Sequence, residues 1–401
     1  MKSGIRTKKK QIKISKSKIT EIQTKTGKVQ VWSEKENIDE DEVRVLVKLT
    51  KLKHVLGNIA ILPDFHISGI LMNGAVFATK DFVYVNAIGG DIGCGMASVK
   101  LPIYNKDIAG KEQELYKKLH ESIPTGRRTR VEIPGHINEH VIFQSKSELM
   151  TKKVVKKLKQ QLGTIGDGNH FLEIQKDEDG RLYLLVHTGS RYLGQVIKEF
   201  YIRHIVDMQN NSLHAVEAAS ETGARFLADH DLAVRYAKEN RMEILRSALS
   251  VLKELIIPDL DIDVMLESII DVPHNFISKE MFGGEQVFVH RKGAQRIEKG
   301  MPGIIPGDMG SATFMVEGKG YTLTFNSCSH GAGRKISRGR ALNTVDYNEF
   351  RESVKDIICR TDRNVLDEAP QAYKDIEQVM MYQKEIVKIR DVLIPVINIK
   401  G

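Results

Sequence analysis

Five short stretches concentrate glycine among polar and reactive residues, and they constrain the fold more than any other feature of this sequence. They are IGGDIGCG at 88–95, GTIGDG at 163–168, HTGSRYLG at 187–194, GIIPGDMG at 303–310 and SHGAG at 329–333. Glycine tolerates positive φ and lets backbone approach a ligand closely. Each stretch therefore reads as a tight turn or a ligand loop, and any one taken alone is most simply a turn. The intervening apolar runs are short and bounded by Gly, Asn or Asp. They predict strands at 29–32, 58–62, 76–85, 97–101, 171–175, 182–187, 287–290, 313–316 and 321–325. Helical spacing relates Leu115, Leu119 and Ile123, and again Val155, Leu158 and Leu162. The longest helical region runs over about 195–257 with breaks near 210–212 and 222–223, and 375–392 reads as a last helix. The pattern is α+β: sheets whose ends carry glycine loops, with a helical insertion in the middle.

Composition bounds the class. Of 401 residues, 41% are hydrophobic and 28% charged, the balance of a folded soluble chain rather than a disordered one. No run approaches the ~18 apolar residues of a membrane span. The basic start, residues 1–25, lacks the apolar stretch of a secretory signal. Three cysteines, Cys94, Cys328 and Cys359, do not make a disulfide scaffold, which points to a reducing compartment and hence the cytoplasm. The net charge of +8 favours an anionic partner. Length alone leaves room for two or three domains, but no Pro/Gly/Ser linker divides the chain.

Of 13 histidines, five sit in loops of unusual composition: His66 in PDFH, His170 in GDGNH, His187 in VHTGSR, His274 in VPHNF and His330 in SCSHGAGR. Asp91 and Cys94 share another such loop. Singly, each histidine is as readily a core residue as a ligand, and no CxxC or HxxxH places two ligands on one element. As a set, a thiolate, a carboxylate and several imidazoles suit Mn²⁺, Zn²⁺, Fe²⁺ or Co²⁺ better than Ca²⁺ or Mg²⁺. Arg191 and Arg334 each follow a loop histidine by four residues, and Lys292 follows a strand in HRKG. Arginine grips phosphate bidentately, so these loops suit a phosphorylated ligand.

In this order along the chain, PDFH (63–66), GGDIGCG (89–95), LGTIGDGNHFLEI (162–174), VHTGSRYLG (186–194), VPHNF (272–276), HRKGA (290–294), GIIPGDMGS (303–311), SCSHGAGRKISR (327–338), AYKDI (372–376) and IKG (399–401) resemble the motifs of the RtcB RNA ligases. The resemblance spans about residues 54–401. It implies a single large α+β catalytic domain over 26–401, with sheets around a deep metal and nucleotide cleft and helices at the periphery. It also implies a GTP- and Mn²⁺-dependent ligase that joins RNA 3′-phosphate or 2′,3′-cyclic phosphate ends to 5′-hydroxyl ends.

By the same resemblance His330 is the nucleophile that carries GMP, and Asp64 orients it. Asp91, Cys94, His170, His187 and His274 hold two Mn²⁺ ions, with Cys94 bridging. Asn169, Glu173, Asp308, Ser311, Tyr373 and Lys400 hold the guanine nucleotide together with His330, Gly331, Ala332 and Gly333. Arg191, Lys292 and Arg334 bind phosphates. The family more often carries Ser at the position of Asp308, so that contact stays open. RNA is the implied substrate and an archease-like activator an implied partner. The chain is shorter than archaeal members and starts with a Lys-rich arm, which points to a bacterial paralogue serving RNA repair rather than tRNA splicing. The competing class is a metal-dependent RNA phosphohydrolase or nuclease that uses the same ligands without GTP.

Overall fold

The computed structural model describes residues 19–205 and 213–401. Two sheets dominate it. The six-stranded sheet runs Thr20–Gln23, Lys28–Val31, Val55–His66, Asn73–Thr79, Glu285–Lys292, Asn275–Phe282. Its neighbours are antiparallel except for the parallel pair Lys28–Val31 with Val55–His66. Residues 20–23, counted above with the basic arm, are thus its edge strand. The seven-stranded sheet is antiparallel throughout and runs Ile270–Pro273, Gly95–Tyr104, Arg181–Thr188, Phe171–Lys176, Val387–Lys400, Thr313–Gly318, Pro302–Pro306. Its central strands are covered on both faces, which is why Arg181–Thr188 reads as a near-continuous apolar run instead of alternating.

The chain crosses between the sheets at His274, which separates a strand of one, Ile270–Pro273, from a strand of the other, Asn275–Phe282. The glycine loops lie where strands begin or end. Gly95 opens one strand, His170 directly precedes another, His187 nearly closes a third and Lys400 ends the last.

The central helical region holds two helices, Tyr192–Ile205 and Glu221–Leu255, and the expected break at 210–212 lies outside the described residues. The expected break at 222–223 is a helix start. Ser220 caps it by accepting the Gly223 N–H on its hydroxyl. Gly223 is there because a Cβ would lie 2.1 Å from the Glu217 carbonyl oxygen. The long helix packs Ile244, Leu245, Ala248, Leu249 and Leu252 onto the seven-stranded sheet.

Three local expectations are corrected. The run 76–85 is two strands, Asn73–Thr79 and Phe82–Tyr84, with a turn between them. Residues 321–325 are not a strand. They form the turn Thr322–Thr324, after which Phe325 and Asn326 take left-handed φ of 51° and 48° and reverse the chain into Ser327–Ser329. The final helix covers only Ile376–Tyr382, because Val387–Lys400 is captured as a strand between Phe171–Lys176 and Thr313–Gly318. Ladder pairing with two distant strands outweighs local helical spacing there. Among the described residues no helix is long and apolar enough to cross a membrane.

Candidate active site

The four segments around Cys94, His170, His187 and His274 converge. The side chains of Cys94, His170 and His187 are buried, and one ligand atom from each lies within 4.8 Å of the others. Cys94 Sγ is 3.4 Å from His170 Nε2 and 3.3 Å from His187 Nε2. His274 Nε2 is 3.0 Å from His187 Nε2, and Asp91 Oδ2 is 3.0 Å from His170 Nε2. The five expected ligands are therefore contiguous. His170 Nδ1 lies 3.1 Å from the Ile165 carbonyl and His187 Nδ1 3.1 Å from the Asn169 carbonyl. Donation to these oxygens places the proton on Nδ1 and turns both Nε2 lone pairs toward Cys94, the arrangement that metal-binding histidines adopt.

Burial, with His170 and His330 adding to it, pulls His187 well below the usual imidazole range, and burial does the same to His274. Neutral imidazoles are what a metal requires. Burial, reinforced by Asp91, pushes the Cys94 thiol well up. A bound cation would deprotonate a coordinating thiol outright. Burial works to raise Asp91 too, but its contact with His170, then Cys94 and Arg191, hold it below the carboxylate norm. Nitrogen, sulfur and carboxylate donors with free lone pairs fit a borderline divalent metal.

The loops that carry these residues need their glycines. A Cβ on Gly189 would lie 2.1 Å from Asp91 Oδ1, and one on Gly333 would lie 2.0 Å from the Asp64 carbonyl oxygen, where φ is also +72°.

His330 follows the strand Ser327–Ser329 directly. Its ring lies 4.5 Å, centroid to centroid, from His274. Asp64 is fully buried, and a single oxygen, Oδ2, accepts both the His330 backbone N–H at 3.0 Å and Nδ1–H at 2.5 Å. That contact assigns the tautomer and leaves Nε2 as the free nitrogen. His66 buttresses the pair from behind. Its Nδ1 meets the Asp64 carbonyl at 3.0 Å and its Nε2 meets Asn73 Nδ2 at 2.9 Å, while burial lowers its pKa to about 4.

His330 and His187 open on a cavity of ≈ 950 Å³ whose wall includes Asn169, Glu173, Asp308, Tyr373 and Lys400, with Gly331, Ala332, Gly333 and Arg334. Glu173 accepts from Asn398 Nδ2 and Gln175 Nε2, each at 2.5 Å. Burial outweighs those bonds and raises its pKa to about 7. Asp308 accepts from the Gly310 N–H at 2.8 Å and the Ser311 hydroxyl at 2.7 Å, so its charge is met within its own loop. Ser311 acts on Asp308 and is absent from the cavity wall.

The three expected phosphate-binding cations stand differently. Arg191 has a left-handed φ of 54° and a buried Nε without a hydrogen-bond partner. Lys292 donates to the carbonyls of Ser68 and Leu71, and burial pulls its pKa down to about 7. Arg334 lines the cavity but is bound within the protein, to Glu368 at 3.0 Å, the Asp367 carbonyl at 2.6 Å and the Ile336 carbonyl at 3.1 Å.

Sequence reasoning missed the supports. Arg241 of the long helix is fully buried. It pairs with Asp271 at 2.5 and 3.1 Å and donates to the carbonyls of Gly93 at 2.9 Å and Thr188 at 3.0 Å. Asn240 accepts from the N–H of Gly163 and Thr164 and donates to the Thr164 and Gly189 carbonyls. One helical turn thus ties together the loops that bear Cys94, His170 and His187. The signal was present: both polar residues fall three or four positions from Ala237 and Ile244, on the apolar face. Glu368, with no glycine or histidine near it, gave no such signal.

A family profile described as tRNA-splicing ligase RtcB matches residues 45–144 and 130–401. An Escherichia coli protein named RNA-splicing ligase RtcB1 is 31% identical, covering 95% of this chain and 99% of its own length. A second from the same organism, RNA-splicing ligase RtcB2, is 30% identical and covers 91% of each. The tRNA-splicing ligase RtcB of Methanococcus maripaludis is 30% identical over 86% of this chain and 88% of its own.

Proposed function

The chain belongs to the RtcB family, and from that premise we propose that it is an RNA ligase that joins RNA ends bearing a 3′-phosphate, or a 2′,3′-cyclic phosphate, to 5′-hydroxyl ends, with GTP and two Mn²⁺ ions as cofactors. The observation that carries the proposal is the setting of His330. Its Nδ1 is held by buried Asp64, and its other nitrogen is free at a cavity that also presents Glu173 and Lys400, with the Cys/His cluster adjoining.

Asp91, Cys94, His170, His187 and His274 would hold the metal, which supplies polarisation of the phosphate and alignment of the incoming oxygen. His330 Nε2 attacks the α-phosphorus of GTP, forming a P–N bond and releasing pyrophosphate. Asp64 steadies the positive charge that develops on the ring. A 2′,3′-cyclic end is first opened by water to a 3′-phosphate and a 2′-hydroxyl. The RNA 3′-phosphate oxygen then attacks the phosphorus on His330, the P–N bond breaks, and an RNA–ppG end forms. The 5′-hydroxyl of the second RNA attacks the 3′-phosphorus, and GMP leaves. Glu173, accepting, suits the N1 and N2 donors of guanine, and Lys400 suits its O6. Arg191 keeps a buried Nε without a partner, which a phosphate could engage, but it is absent from the cavity wall that Arg334 lines. Lys292 and Arg334 would have to exchange internal partners to receive a phosphate. RNA binding accounts for the +8 balance, since phosphate neutralisation dominates that affinity. A cytoplasmic setting and an archease-like activator complete the proposal.

The test is incubation with α-labelled GTP and Mn²⁺. An acid-labile protein adduct is expected, and His330→Ala should remove both adduct and sealing. End hydrolysis without any adduct or sealing would favour the phosphohydrolase class instead, and sealing that survives without the adduct would overturn the assignment of His330 as nucleophile.

A further inference from the structure

Glu368 closes the turn Arg363–Glu368 and is 2% exposed. Four donors from three separate segments meet its carboxylate. Oε1 accepts from Arg334 at 3.0 Å and Arg338 at 2.8 Å, and Oε2 accepts from Tyr373 at 2.5 Å and Lys400 at 2.9 Å. Burial opposes its ionisation, yet Lys400, Arg338 and Tyr373 hold its pKa near about 2, so it is a fixed anion. The turn itself is immobilised. Asp362 caps it, and Val365, Leu366 and Ala369 pack with Met309 and Phe350. The strand that ends in Lys400 is tied to the same region by the Asn398 N–H to the Ile358 carbonyl at 2.9 Å.

Lys400 stands near two buried carboxylates, Glu173 and Glu368, and its ion pair is with Glu368. This choice has a chemical consequence. A direct Lys400–Glu173 pair would satisfy the acceptor and the donor against each other and leave nothing to read a base. Held by Glu368, Lys400 stays a donor and Glu173 an acceptor on the wall of one cavity. Guanine complements that pattern with its O6 acceptor and N1–H donor. Adenine reverses both polarities.

We propose that Glu368 is a positioning residue for base selection, which holds Lys400 off Glu173 and so gives the nucleotide site its preference for guanine over adenine. The inference rests on the nucleotide reading of the cavity given above. It assigns the selectivity to a carboxylate that acts through its neighbours and contacts no base.

The experiment compares adduct formation from α-labelled GTP and α-labelled ATP, with Mn²⁺, in the full-length wild type, Glu368→Gln, Lys400→Ala and the double variant. Glu368→Gln is expected to lower the GTP-over-ATP preference at least tenfold, mainly through a higher KM for GTP, with metal content unchanged. The double variant should lose no more than about twofold beyond Lys400→Ala, because both changes remove one device. Should Glu368→Gln not fold, Glu368→Asp keeps the charge but draws the oxygens back by one methylene, and the same loss of preference is expected. A Glu368 variant with wild-type preference, or losses that simply multiply with Lys400→Ala, overturns the inference alone. A wild-type chain that takes no label from GTP overturns the nucleotide reading and this inference with it.

Discussion

Replacing Asp64 with asparagine isolates the charge behind the proposed nucleophile, His330, from its geometry. One oxygen, Oδ2, receives both the backbone N–H and the Nδ1–H of His330. An asparagine with its amide oxygen in that place keeps both bonds, so the ring stays oriented and only the anion is lost. Nδ1 is 2.5 Å from Oδ2, and since the charge that develops is spread over the whole ring, two unit charges at an effective separation of about 4 Å and a dielectric of about 20 interact by about 4 kcal/mol. At about 1.4 kcal/mol per decade this is a slowing of His330 guanylylation by about 10³. The weaker neutral hydrogen bonds should cost about 1–3 kcal/mol of stability. The assay is single-turnover transfer of label from α-labelled GTP to protein, beside chemical unfolding to verify the fold. A folded Asp64→Asn that guanylylates within tenfold of wild type would refute the electrostatic role and leave Asp64 a purely structural group.

Cys94→Ala should lower the metal retained after dialysis, because the two Nε2 lone pairs that face Sγ lose their common partner; metal analysis that finds wild-type content removes Cys94 from the ligand set. Arg241→Met leaves Asp271 uncompensated in a buried site and should cost about 3–5 kcal/mol, read as a lower urea midpoint; an unchanged midpoint would mean that the helix does not brace the loops. Glu173 binds a proton more tightly folded, at about 7, than at its ordinary 4.5. Its contribution to stability is therefore fully present below pH 4.5 and is lost as pH rises toward about 7, by on the order of 3 kcal/mol. Glu173→Gln should remove that slope, and parallel wild-type and variant profiles of unfolding free energy against pH would contradict it.

Much of the site was legible in the chain because reactive residues stand next to glycines that the backbone requires. Gly189 and Gly333 mark places where a side chain would strike Asp91 or Asp64, so the loops advertise the groups they surround. Strands buried on both faces, such as Arg181–Thr188, were equally plain. Residues 321–325 and 375–392 were misread because both are rich in strand or helix formers whose local preference is overruled elsewhere. A left-handed pair at Phe325 and Asn326 decides the first, and a place between two distant strands decides the second.

The sequence by itself determined the kind of chemistry: a thiol, imidazoles and a carboxylate in glycine loops, with cations beside them, are legible as types and spacings. Only the tertiary structure decided which of these groups face one another. It set His274 at the crossing between two sheets so that its Nε2 meets that of His187, and it brought Asp64 beneath His330 from 266 positions away. It also decided that Arg334 and Lys400 are held by Glu368. The physical reason is that a charge or lone pair acts only at contact range within a buried site, and sequence spacing carries no record of contacts between distant segments.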